Sequence, residues 1–173
     1  MNISIILGTG REGRNSENVA KYVEGIVKAA GHVTEILDPR NYGFLFTDRD
    51  TSRGDEYRKK IKESDAFIIV SPEYNHGYPG DLKIMMDTAY EEYFHKPVGI
   101  CGVSIGPFGG ARMVEQLKPV MVEFHMIPVR ESVYFGSVGE LFNDEGKIKD
   151  AAYDERVKKM LEEVIQYVGC AKG

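Results

Sequence analysis

Three short segments of this 173-residue chain carry side chains at spacings suited to a flat, charged ligand. The first, Gly8-Thr9-Gly10-Arg11-Glu12-Gly13-Arg14-Asn15-Ser16, follows the apolar stretch 3–7 and leads into a helical pattern. Glycines let an anion approach the backbone, and the unpaired N–H groups of a helix start point at it. Thr9 and Ser16 add hydroxyls, and Arg11 or Arg14 adds charge. The second, Ser71-Pro72-Glu73-Tyr74-Asn75-His76-Gly77-Tyr78-Pro79-Gly80, contains two prolines, two glycines and an asparagine, a stiff and turn-rich composition. The third, Ser104-Ile105-Gly106-Pro107-Phe108-Gly109-Gly110-Ala111-Arg112, follows another apolar stretch and also opens a helix.

The first segment admits more than one reading. Gly8, Gly10 and Gly13 satisfy the G-x-G-x-x-G spacing of dinucleotide sites directly after a strand. Against it, Arg14 and Asn15 separate the last glycine from the helix, and Glu35 and Asp38 are only loosely placed for the acidic partner. The P-loop pattern is absent, because no Gly-Lys-Ser or Gly-Lys-Thr follows. A monophosphate held by two arginines and two hydroxyls fits at least as well, and a plain capped turn is the remaining alternative.

The elements that must position these segments read as alternating strands and helices. Apolar runs at 3–7, 66–70 and 98–103 have the composition of strands buried on both faces. Residues 32–37 alternate and form an edge strand, and a fifth strand lies near 128–135. The first helix shows Val19, Tyr22, Val23, Ile26, Val27 and Ala30 on one face, with Ser16 as N-cap and Gly31 as its stop. Residues 39–52 are expected to be a polar loop anchored by Tyr42, Phe44 and Phe46. A helix follows over 53–63. Leu82, Met85, Met86, Ala89 and Tyr90 form a stripe suited to core or dimer interface. The helix carrying Val114, Leu117, Met121 and Phe124 contains Pro119, which should kink or loosen a turn. The last helix, from about 154, turns Val157, Leu161, Val164, Ile165 and Val168 inward. The whole chain, 1–173, is thus expected to be one α/β domain. In a doubly wound sheet of order 2-1-3-4-5, the carboxyl ends of strands 1, 3 and 4 meet at the switch point, where ligands bind. All three segments would converge there.

Taken together, the three segments, with Leu82-Lys83 after the second, resemble the NAD(P)H-dependent FMN reductases, a family that includes quinone, azo-dye and chromate reductases. The resemblance runs from the first strand to about Phe135 and implies a flavodoxin-like three-layer sandwich on a five-stranded parallel sheet. It implies bound FMN, with NADPH or NADH as electron donor, and with the phosphate on Thr9, Arg11, Ser16 and Asn18. Pro72, Glu73, Tyr74, Asn75 and His76 would line the ring edge, and Ser104, Gly106, Gly109 and Gly110 its pyrimidine side. The nicotinamide would pass a hydride to the flavin, and a quinone, azo compound, metal oxyanion or free flavin would then take the electrons at the same place. No side chain is assigned as a catalytic acid, and Glu73 is read as a brace before a proton donor. The family resemblance further implies a homodimer or homotetramer, for which the 82–90 helix and the Tyr93-Phe94 pair offer apolar surface. Thr9 stands where serine is usual and Ile105 where a smaller residue is common, so access beside the ring is the point most open to change.

An electron-carrying flavodoxin, or a redox-sensing binding module, is the alternative on the same fold. Such carriers have a threonine-rich phosphate loop without arginine, are usually more acidic, and often stack a tryptophan on the flavin. Here the loop holds Arg11 and Arg14, and the chain contains no tryptophan. The formal net charge of −5 argues against nucleic acid or an anionic membrane as main partner. No apolar stretch approaches a bilayer span and no leader pattern opens the chain, so a cytoplasmic location is expected. Cys101 and Cys170 lack CxxC spacing, and histidines 32, 76, 95 and 125 lack ligand spacing, so no metal site is expected.

Overall fold

The computed structural model describes residues 1–43 and 51–171, Ala171 by its backbone alone. At its centre lies a five-stranded parallel sheet ordered β2-β1-β3-β4-β5. The strands are β1 (Ile3–Leu7), β2 (Ile36–Leu37), β3 (Ala66–Pro72), β4 (Pro97–Val103) and β5 (Ile127–Phe135). Because side chains alternate along a strand, the sheet feeds two cores. Ile3, Ile5, Leu7, Ile68, Val70, Cys101 and Val103 pack with α1 (Ser16–Ala29) and the long C-terminal helix over Ala152–Ala171. Ile6, Phe67, Ile69, Val98 and Ile100 pack on the other face. Their partners there are α2 (Pro39–Tyr42), α3 (Ser52–Glu63), α4 (Gly80–Asp87) and α5 (Ala111–Glu123). A short α6 (Val138–Leu141) precedes the C-terminal helix, which is α7. The helix-on-both-faces arrangement is the three-layer, flavodoxin-like sandwich.

Register explains why the loops meet. Leu7 pairs with Val70, Val70 with Cys101, and Pro72 with Val103, so β1, β3 and β4 end nearly level. The loops that follow leave from one edge of the sheet.

Several local expectations need correction. The strand expected over 32–37 is a ladder only at Ile36–Leu37, with a single bridge from Val33 to Asn2. Its backbone still accepts from Ile3 N–H at Val33 and from Ile5 N–H at Glu35, but an edge strand has one neighbour, and Val33 is 70% exposed. Ser16 is not the N-cap of α1. It is the first helical residue, and Asn15 precedes it in a helical conformation with no capping bond from its side chain. Gly31 ends the helix as expected, with φ +83° and its N–H on Lys28 O. The start of the expected polar loop is instead α2, capped by the Asp38 carboxylate on the Arg40 N–H, with proline at the first position. Tyr42 anchors this segment edge-on to Tyr57, ring centroids 5.2 Å apart. Phe44 and Phe46 lie outside the described residues. α5 runs through Pro119 to Glu123.

The apolar surface expected around Tyr93 is core. Leu82, Met85, Met86 and Ala89 are buried, and Tyr93 is fully buried with its hydroxyl 2.7 Å from that of Tyr57. Among the described residues no helix is long and apolar enough to cross a membrane.

Candidate functional site

The loop after β1 is held from beneath by charge. Gly8 is required where this loop touches the end of β3, since a Cβ there would lie 2.4 Å from Ser71 Oγ. The side chain of Arg14, only 2% exposed, donates to the Thr9 carbonyl and grips both carboxylate oxygens of Asp38. Arg40 donates to the carbonyls of Gly10 (2.9 Å) and Arg11 (2.7 Å). From the other side Asp81 accepts from Thr9 Oγ1 (3.0 Å) and from the Gly10 N–H (2.9 Å). Two arginines thus occupy the loop's carbonyls. Burial works against the Asp38 charge, but the bonds from Arg14 and the Arg40 N–H, with the charges of both arginines, outweigh it and hold this carboxyl below its usual range.

What this bracing leaves over is informative. Among the described residues, Ser16 Oγ and Arg14 Nε are both buried with no hydrogen-bond partner, and both residues line a cavity of about 350 Å³. A buried, unsatisfied donor costs free energy unless a ligand meets it. Here two such donors sit at the start of a 14-residue helix, where the partial positive charge of the backbone also gathers. Arg11 lines the same cavity with an exposed guanidinium placed over the Tyr74 ring, 5.7 Å from its centroid. Of the three arginines that line the cavity, Arg14 is paired with Asp38 and Arg112 with Glu73, so Arg11 adds the positive charge to the donors at the helix start. An anion is the ligand that such a lining favours.

The second wall comes from the loop after β3. Tyr74 and Gly77 exchange two backbone bonds (2.9 and 3.0 Å) across Asn75 and His76, whose φ angles are +49° and +70°. Two central residues with positive φ define a type I′ turn. Its cross-turn bonds use the N–H groups of Tyr74 and Gly77, so those of Asn75 and His76 lie outside them. Tyr74 also reaches back, its hydroxyl 3.2 Å from Thr9 Oγ1, and so ties this wall to the first.

The third wall is the loop after β4. Ser104 Oγ donates to Gly106 O (2.8 Å), and Gly106 O also accepts from the Ser137 N–H (3.0 Å). Ile105 and Phe108, 75% and 65% exposed, give the cavity an apolar mouth. Arg112, at the start of α5, donates to Glu73 from Nε (2.6 Å) and to His76 Nε2 from a terminal nitrogen (2.9 Å). Glu73 therefore does brace: its oxygens face Arg112 and the Met113 N–H.

Of the thirteen residues the resemblance marked, the cavity brings together Arg11, Ser16, Pro72, Glu73, Tyr74, Asn75, His76, Ser104 and Gly106. Thr9 is buried behind the wall, on Tyr74 and Asp81. Asn18 is exposed on the first turn of α1, outside the cavity lining. Gly109 and Gly110 are buried beneath the loop, where a Cβ would lie 2.6 Å from the Tyr134 backbone or 2.8 Å from the Val103 nitrogen. Their contribution is to let α5 begin close against β4 and β5. Sequence reasoning passed over the bracing by Asp38, Arg40 and Asp81, and over Phe108 and Val138 in the lining. Asp38-Pro39 is a helix-start signal that could have drawn attention to Asp38. Among the described residues no group of three or more His, Cys, Asp or Glu side chains converges to hold a metal.

Known proteins resemble this chain in sequence and in fold. Residues 1–140 match the protein family described as NADPH-dependent FMN reductase. A quinone reductase of Pseudomonas putida is 27% identical over 157 residues, covering 86% of this chain and 84% of its own. An NAD(P)H-dependent FMN reductase of Pseudomonas aeruginosa is 28% identical over 124 residues, covering 69% and 67%. In fold, the flavoenzyme NAD(P)H:(acceptor) oxidoreductase of Paracoccus denitrificans superposes with a TM-score of 0.83 at 19% identity, over 96% of this chain and 98% of that one.

Proposed function

This chain belongs to the NADPH-dependent FMN reductase family, and from that premise we propose that it carries electrons from NAD(P)H to a small acceptor such as a quinone through one shared cavity. It is an enzyme of the flavodoxin-like fold whose cofactors are FMN and NAD(P)H. When bound, the flavin supplies the hydride and electron chemistry, and the protein supplies binding and orientation.

In this reading Ser16 Oγ, Arg14 Nε and the start of α1 hold the phosphate, and the exposed Arg11 closes over it. Thr9 acts through Tyr74 and Asp81, and Asn18 is the peripheral member, on the first turn of the same helix. Pro72, Glu73, Tyr74, Asn75 and His76 form one edge of the ring site, with Ser104 and Gly106 opposite, set in place by Gly109 and Gly110. Backbone N–H groups at Asn75 and His76 are the donors suited to negative charge on the ring edge. The open mouth at Ile105 and Phe108 receives the nicotinamide and, after it leaves, a flat apolar acceptor. The pair of buried, unpartnered donors at Ser16 and Arg14 carries this reading most strongly, because the folded chain leaves their cost unrelieved. Self-association belongs to the proposal too, supported by Val122, 61% exposed on α5, and by the partly buried Tyr90 and Phe94, whose rings meet edge-on.

Steady-state kinetics with NADPH and a benzoquinone test the shared site. Parallel double-reciprocal lines are expected, as for a ping-pong cycle; intersecting lines would mean that donor and acceptor bind together, and would refute a single shared site.

A further inference from the structure

The turn at Asn75-His76 is held by more than its own backbone bonds. Asparagine and histidine both enter the left-handed region more readily than most side chains, as His95 and His125 also do here, but at φ +70° the Cβ of His76 still has less room than the hydrogen of a glycine. Glycine would adopt the same angle freely. What the chain gains from histidine is a ring whose Nε2 lies 2.9 Å from Arg112. Arginine has no acceptor, so it donates, Nε2 accepts, and the ring proton sits on Nδ1. The guanidinium is itself fixed on two further sides. Glu73, its side chain only 5% exposed, takes the Nε–H, and the Phe108 ring lies 5.5 Å from the guanidinium carbon. Arg112 thus couples the start of α5 and the loop after β4 to the tip of the loop after β3.

We propose that Arg112 is a positioning residue that holds the His76 turn in its left-handed conformation and so presents the N–H groups of Asn75 and His76 to the flavin. This rests on the flavin reading above. Lysine cannot replace it, because one ammonium lacks the planar fork that reaches Glu73 and His76 together.

The test compares Arg112→Ala in two backgrounds, the wild type and His76→Gly, with Arg112→Lys alongside. FMN affinity is read by quenching of flavin fluorescence, the environment of bound FMN by visible circular dichroism, and the flavin-free protein by thermal melting. In the wild-type background Arg112→Ala should weaken FMN binding roughly tenfold and change the dichroism, and Arg112→Lys should do much the same. In the His76→Gly background the loss should shrink to less than about threefold, because glycine holds the turn unaided. Equal losses in both backgrounds, or no loss in either, would overturn the proposal. Should the lone Glu73 carboxylate unfold Arg112→Ala, the same comparison is made on Glu73→Gln. If the wild-type protein holds no FMN, the flavin reading fails separately. The coupling is then read from melting alone, where equal destabilisation by Arg112→Ala in both backgrounds overturns it.

Discussion

Arg14 and Asp38 form a two-pronged ion pair beneath the loop that follows β1, with both carboxylate oxygens engaged and the arginine almost fully enclosed. This pair explains how a loop rich in glycine can present a fixed set of donors. Asp38 occupies both terminal nitrogens of Arg14, a residue that lines the cavity, while its Nε has no partner among the described residues.

Asp38→Asn should therefore disturb the site from behind. Removing the Asp38 charge leaves the enclosed Arg14 with Glu17, 3.3 Å away, as its remaining carboxylate, at a cost of about 1–2 kcal/mol. FMN affinity should fall roughly tenfold and the melting temperature should drop with it. Equilibrium dialysis and thermal melting check both; unchanged affinity would mean that the pair does not set the loop.

The same pair sets a pH dependence. Because the folded Asp38 pKa lies below its ordinary value of 3.8, its stabilisation is complete above that value and is lost as pH falls through the lowered one. Acid unfolding of the wild-type protein below about pH 4 should be steeper than that of Asp38→Asn. Coincident slopes would show that other carboxylates govern the transition.

Ser16→Ala should act with opposite signs on the two states. In the flavin-free protein it removes a buried hydroxyl that has no partner, so stability should hold or rise by up to about 1 kcal/mol. With FMN present it removes a bond to a charged oxygen, so affinity should fall roughly tenfold. Parallel melting curves with and without FMN separate these effects, and destabilisation of both states alike would contradict the assignment.

Much of this architecture is legible in the residues themselves. β1, β3 and β4 declare themselves as unbroken apolar runs because they are buried on both faces, and level ends follow from parallel pairing. The convergence of three loops is deducible from strand order alone. What cannot be read are the pairings that bridge distant positions: Arg14 with Asp38 and Arg112 with Glu73 are 24 and 39 residues apart. No local pattern marks an arginine as a brace rather than a ligand-binding charge. Tyr93 misleads for a related reason. An apolar pair reads alike on a surface or in a core, and only the packing of α3 behind it decides. The helix start falls one residue away from its expected place because Ser16 has the composition of a cap, yet its hydroxyl faces no backbone donor.

Arg11→Ala should leave the fold intact, since the side chain is exposed and rests on the Tyr74 ring. FMN retention should nonetheless weaken, and the salt dependence of binding should become shallower, because one charge no longer meets the phosphate. Titrations at two ionic strengths check this; retention equal to wild type would remove Arg11 from the phosphate site.

Cys101 is expected to be chemically silent. It is buried in β4, and burial pushes its thiol well above the ordinary range, whereas Cys170 is exposed. A thiol reagent should label one cysteine in the native protein and two after denaturation. Labelling of Cys101 in the native state would show that this strand opens.

The most direct measurement is the visible spectrum of the protein reconstituted with FMN and mixed anaerobically with NADPH, then NADH. The account predicts a bound-flavin spectrum that bleaches within the mixing experiment on addition of a nicotinamide nucleotide and returns when a quinone is added. Flavin that binds but keeps its colour with both nucleotides would contradict the enzyme reading and point to an electron carrier. Failure to bind flavin at all would contradict the assignment of Ser16 and Arg14.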